Sequence, residues 1–199
     1  MADQREDSGA RPTFMNKVLR FFLLTGFCLP GLVQAYESAY PMTAAGFCEI
    51  KRLPAGSILR TSMPGNYFDE NNNLFRRLFD TINRNRVPMT VPVEAKMKPG
   101  TMVFYLDAAS AKRRDLQLAQ GVVRQSLPPR TVASIGIRGG YTRESYEANL
   151  AKLRTWLKTQ PKWRAAGEPY VVYWNGPFTL APFKRSEIHV PVVGVGARL

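Results

Sequence analysis

Val87-Pro88-Met89-Thr90-Val91-Pro92-Val93 is the stretch on which the fold turns. Each proline lacks a backbone donor and pushes the residue before it into extended geometry, so no helix runs through. Upstream, Asn71 to Arg86 carries Leu74, Phe75, Leu78, Phe79 and Ile82 at helical spacing, with Arg76, Arg77, Asp80 and Arg84 on the other face. That pattern predicts an amphipathic helix. Downstream, Thr90 to Leu106 alternates and ends in Met102-Val103-Phe104-Tyr105-Leu106, which predicts two strands around a Lys98-Pro99-Gly100 turn.

Working outward, Phe47 to Leu53 alternates as a half-buried strand, Pro54-Ala55-Gly56 turns the chain, and Ser57 to Met63 reads as a second strand. Asp107 to Leu127 mixes Ala108-Ala109-Ser110-Ala111 with Lys112-Arg113-Arg114 and reads as a loop with a short helix or strand. Thr131 to Arg138 resumes strand character, and Gly139-Gly140-Tyr141 leads to a second helix capped by Thr142, with Glu144 in its first turn. The apolar stripe of that helix is Tyr146, Leu150, Leu153, Trp156 and Leu157, and Pro161 stops it.

The halves superimpose at one constant offset: Ser57 over Thr131, Gly65 over Gly139, Tyr67 over Tyr141, helix over helix. The expected fold is therefore α+β. A tandem βαββ duplication, with repeat one at about 47–106 and repeat two at about 127–192, forms a distorted antiparallel barrel or sheet. Two helices, each apolar on one face, flank it. Gly65 and Gly139 are expected to permit a bend that a side chain would forbid.

At 199 residues and 45% hydrophobic content, the chain suits one ordinary domain, expected over residues 36–199. The first 35 residues read differently. Met1 to Phe14 is polar and aperiodic; from Met15 a basic region, an apolar run over Phe21 to Leu29 and the small-residue ending Leu32-Val33-Gln34-Ala35 have the anatomy of a secretory signal peptide. Cleavage after Ala35 and export, into a periplasm, are expected; an uncleaved anchor is the alternative. Phe27 before Cys28 argues against lipid attachment there. Cleavage leaves Cys48 as the single cysteine, read as a small buried hydrophobe on a strand.

The net charge of +13 favours acidic partners such as phospholipid head groups, nucleic acid or propionate-bearing ligands, although the basic residues are spread along the chain as a solvated surface would be. No metal cluster, nucleophile elbow, phosphate loop or dinucleotide fingerprint is present, so the sequence points to binding and gives no reaction.

Three further signatures agree along the chain: Met89-Thr90 followed by Pro92-Val93, then Phe104-Tyr105-Leu106, then Tyr173 through Pro177 leading to Arg185-Ser186-Glu187-Ile188. With these the sequence resembles the SOUL haem-binding protein family from Tyr36 to Val192, with Ser186 standing where the family usually has Asn. The resemblance implies a barrel of two βαββ repeats with flanking helices. It also implies kinship with gyrase-inhibitor-like effector-binding domains, which hold small amphipathic molecules in a groove between the repeats.

The ligand implied is haem or another tetrapyrrole, bound non-covalently through an axial histidine or on an apolar surface. The first half has no histidine, and the one histidine of the chain, His189, is read as structural or solvent-facing. Met63, Met89, Met97, Met102, tyrosine and Cys48 are weaker ligands to iron, with Met89 read foremost as packing. By resemblance the ligand-facing elements are the first helix and the loop before the terminal strand. Leu74, Phe75, Leu78 and Phe79 would form the apolar wall and Arg76, Arg77 or Arg84 would meet the propionates, although the same stripe must bury against the sheet. Glu187 either pairs with Arg185 or faces the groove. The alternatives are another amphipathic effector, or an anionic membrane surface met by Lys112-Arg113-Arg114 and the helix arginines; no specific nucleic-acid partner is expected.

Overall fold

A computed structural model describes residues 37–68, 73–176 and 178–196. The leader reading, over residues 1–35, lies outside them. A two-residue strand β1 (Glu37–Ser38) is followed by the predicted pair β2 (Cys48–Leu53) and β3 (Gly56–Met63). Helix α1 (Leu74–Arg84) stops before the prolines because Arg86 takes a left-handed φ of 52° and the Asn85 side chain caps the Thr81 carbonyl at 2.7 Å. Strands β4 (Thr90–Val91), β5 (Val93–Lys96) and β6 (Gly100–Tyr105) complete the first repeat.

Between Asp107 and Leu127 the chain forms a 3-10 turn at Ser110–Lys112 and strand β7 (Val122–Leu127). Strand β8 (Arg130–Arg138) and helix α2 (Arg143–Lys158) follow, and the Thr142 hydroxyl accepts the Ser145 N–H at 3.1 Å as the expected cap. Strands β9 (Trp163–Ala165), β10 (Tyr170–Tyr173) and β11 (Arg185–Gly194) close the chain. Gly139 takes φ 120° as its bend requires, and Gly65 does not share that left-handed conformation.

The main sheet runs β2-β8-β11-β10-β5-β6-β3-β7, antiparallel at every step, with β9 pairing β11 to one side. It curls into a half-barrel flanked by the two helices. Strands β8-β11-β10 and β3-β6-β5 are equivalent under the duplication and meet back to back at the β10–β5 seam. The repeats also exchange a strand: β2, from the first, pairs with β8, while β7, from the second, pairs with β3. Each βαββ unit is thus preceded by one further strand, β2 in the first repeat and β7 in the second.

Strand alternation separates two cores. On the helix face, Leu74, Leu78 and Ile82 of α1 pack on Leu59, Met102 and Phe104, and Leu150, Leu153 and Leu157 of α2 pack on Ile135, Ile188 and Val190. The opposite face holds Leu53, Ile58, Tyr105, Val132, Tyr170, Val172 and Trp174, and it is covered by Tyr40 from the segment after β1. That segment pairs β1 with β4 in parallel and touches β8 at Gly136, where any Cβ would overlap the Thr43 and Ala44 carbonyl oxygens.

Candidate functional site

Helix α1 divides the residues expected at the ligand. Leu74 and Leu78 are 1% and 0% exposed and belong to the core under the sheet, which corrects their placement in a ligand wall: the same periodicity serves both purposes, and the sheet takes them. Phe75 is half-buried, edge-on to Phe104 at 5.4 Å, and stacks on Phe79 at 5.8 Å with the rings 14° apart. Phe79 is 44% exposed, so the pair forms an aromatic ledge open to solvent. Arg76, Arg77 and Arg84 lie exposed on the same helix. Arg76 approaches Asp80 at 3.9 Å with both side chains mostly in water, a pair too screened to hold the guanidinium. Met89 is half-buried against the helix-face core, together with Met63 and Met97, and Met102 lies inside that core. Burial pushes the Cys48 thiol up, away from thiolate chemistry.

Glu187 stands elsewhere. Its neighbours Ile188 and Val190 face the helices, so Glu187 and His189 project from the opposite side of β11, where both are fully buried. The carboxylate accepts from Lys51 Nζ at 2.7 Å, Trp174 Nε1 at 2.8 Å, Ser134 Oγ at 2.8 Å and the Thr43 backbone N–H at 2.6 Å. His189 Nε2 lies 2.6 Å from the same carboxylate, and Nδ1 lies 3.1 Å from the Tyr170 hydroxyl. Burial alone would raise the Glu187 carboxyl, but the His189 hydrogen bond and the Lys51 ammonium outweigh it and hold it down to about 2. Burial likewise lowers His189, so the imidazole is neutral at neutral pH; its contribution to Glu187 is a hydrogen bond, and Lys51 provides the positive charge.

A second buried carboxylate continues the network. Glu94 Oε1 accepts from the Tyr40 hydroxyl at 2.8 Å, the Tyr105 hydroxyl at 2.7 Å and Arg130 Nη2 at 2.5 Å. Arg130 Nε donates to the Tyr170 hydroxyl at 3.3 Å, which joins the two halves through His189. The Tyr40 ring is edge-on to Tyr105 at 5.8 Å and to Trp174 at 5.7 Å. The space that Glu187 was expected to share with a ligand is therefore filled by Tyr40 and Thr43 of the same chain, and its ionic partner is Lys51 in place of Arg185.

Sequence reasoning missed Glu94, Arg130, Lys51 and Tyr40. One signal was available, a lone glutamate inside Val93-Glu94-Ala95, because a carboxylate in an apolar strand must find donors. Of the basic cluster, Arg113 is engaged by Asp115 and by the Asn85 carbonyl, each at 2.7 Å. Among the described residues no group of three or more His, Cys, Asp or Glu could hold a metal ion, and no helix is long and apolar enough to cross a membrane.

No curated protein matches the chain by sequence. Among solved structures, the C-terminal domain of EcmrR is similar with a TM-score of 0.53 at 14% identity, over 75% of this chain and 98% of that one. A hydrolase from Listeria innocua is similar with a TM-score of 0.55 at 12% identity, over 76% and 94% of the two chains. At such identities these likenesses show the fold alone. The sequence profile described as SOUL heme-binding protein matches residues 36–191, from the segment that carries Tyr40 into the terminal strand. The chain thus belongs to the SOUL heme-binding protein family.

Proposed function

We propose that this protein is an exported, non-catalytic binder of haem or a related tetrapyrrole, held on the α1 ledge by face-to-face packing and charge pairing with no protein ligand to iron. The observation that carries this reading is the fate of the chain's one histidine: His189 is fully buried and both ring nitrogens are engaged, by Glu187 and Tyr170. Iron ligation by histidine would require dismantling the core of the half-barrel. The parallel rings of Phe75 and Phe79 offer a flat apolar seat, and Arg76 and Arg77 stand beside it to meet propionates.

The test is titration of the purified protein with haem and with metal-free protoporphyrin, read by Soret absorbance. Both should bind one-to-one with similar affinity. Phe79→Ala should weaken both by about tenfold, the weight of one aromatic contact, and Arg77→Glu should weaken both further at low salt. Haem binding without porphyrin binding, or no saturable binding of either, would overturn the reading.

A further inference from the structure

The loop between β10 and β11 sets large apolar side chains in water. Phe178 is 96% exposed, Leu180 69% and Phe183 61%. A single exposed apolar residue is ordinary, but this cluster within Phe178 to Phe183, two of its members aromatic, marks a contact surface. The backbone beneath it is held. The Trp174 N–H donates to the Arg185 carbonyl at 3.1 Å, and the Asn175 side-chain oxygen accepts the Arg185 N–H at 2.6 Å, which ties the two ends of the loop together. A 3-10 turn over Ala181–Phe183 is braced by Arg138, whose Nε donates to the Pro182 carbonyl at 3.1 Å. Docking side chains that already stand on an ordered backbone costs little chain entropy.

The base of the loop is cationic. Lys184 and Arg185 close it, and Arg138 lies directly opposite Arg185 in the β8–β11 register. Like charges in that arrangement repel, and among the described residues no carboxylate pairs with any of the three. Between Trp174 and Ser186 the sequence holds no Asp or Glu. An anion at this base relieves the repulsion. From tip to base, apolar and then cationic, the loop follows the order of hydrocarbon and phosphate in a membrane leaflet, and aromatic rings favour that boundary. A stable protein interface draws about 20–30 residues from each side, more than this tip presents.

We propose that the β10–β11 loop docks this protein on anionic phospholipid bilayers, with Phe178, Leu180 and Phe183 entering the leaflet and Arg138, Lys184 and Arg185 meeting lipid phosphates. None of these residues belongs to the α1 ledge, so either site can fail while the other holds.

Full-length Phe178→Trp is titrated with vesicles of phosphatidylcholine and phosphatidylglycerol whose acyl chains carry bromine, a contact quencher of inserted indoles. Fluorescence should fall further than in the wild type, and the added quench reports position 178 itself, whatever residues 1–35 do at the same membrane. Lys184→Glu in that background should raise the vesicle concentration needed for half of the added quench by about tenfold, as should vesicles of phosphatidylcholine alone. Phe79→Ala should leave it unchanged. No quench beyond the wild type, equal quench on neutral and anionic vesicles, or indifference to Lys184→Glu overturns the proposal. A dimer in sedimentation equilibrium that Phe178→Ser dissociates assigns the loop to a second copy of the chain and overturns it too.

Discussion

Glu187 shows how a single buried charge ties the chain together: its donors come from the segment after β1, from β2, from β8 and from beside β10. Removing the charge strands Lys51, so Glu187→Gln should cost roughly 3 kcal/mol in a urea titration at neutral pH. The pH dependence has a definite sign. The folded carboxyl sits at about 2, below its ordinary 4.5, so its contribution is complete above 4.5 and is lost as pH falls toward 2. His189, lowered from 6.5, acts in the same direction, because as pH falls through 6.5 the unfolded chain takes up its proton before the folded chain does. The urea midpoint should therefore decline on acidification from about pH 6.5, more steeply below 4.5. In Glu187→Gln the steeper limb should flatten, and an unchanged acid limb would refute this account. Tyr40 can be dissected similarly. Tyr40→Phe removes one donor to Glu94 and should cost about 1 kcal/mol, while Tyr40→Ala opens a cavity and should cost about 3–5 kcal/mol.

Helix α1 sorts neighbouring residues into unrelated roles. Leu78, fully buried under the helix, should cost about 2–5 kcal/mol when changed to Ala. Phe79, one residue on and 44% exposed, should change stability by less than about 0.5 kcal/mol. Denaturation of the two variants side by side checks this, and the contrast makes Phe79→Ala a clean probe of ligand binding. Comparable destabilisation would mean that the ledge is part of the core. Helix α2 has no such division to test, since its Leu150, Leu153 and Leu157 stripe packs on the second half of the sheet.

For the whole molecule, the exchange of β2 and β7 has the larger consequence. Each repeat's first strand completes the other's side of the sheet, and the β10–β5 seam is made of main-chain hydrogen bonds in mid-sheet. Neither repeat can then satisfy its edges alone. A fragment ending at Asp107 should lack dispersed amide signals by NMR, and the intact domain should unfold in one cooperative transition. A folded fragment would show that the repeats are independent units.

Much of this architecture was legible because it is written in short-range periodicity. The proline hinge, the two helical stripes, the Thr142 cap and the constant offset between repeats depend on residues within a few positions of one another, whose steric and hydrogen-bonding preferences act before any tertiary contact. The sorting of Leu74 from Phe75, and of Leu78 from Phe79, needed the sheet beneath them, because an amphipathic stripe does not say where its margin falls. The partners within the polar interior were decided by tertiary structure alone. Tyr40 meets Glu94 across 54 residues of sequence and Thr43 meets Glu187 across 144, and the segment that carries both lies ahead of the first strand that the sequence predicts. Local preference determined which residues could be strands and helices; what covers the open face of the half-barrel was settled only when buried carboxylates had to find their donors wherever the folded chain brought them.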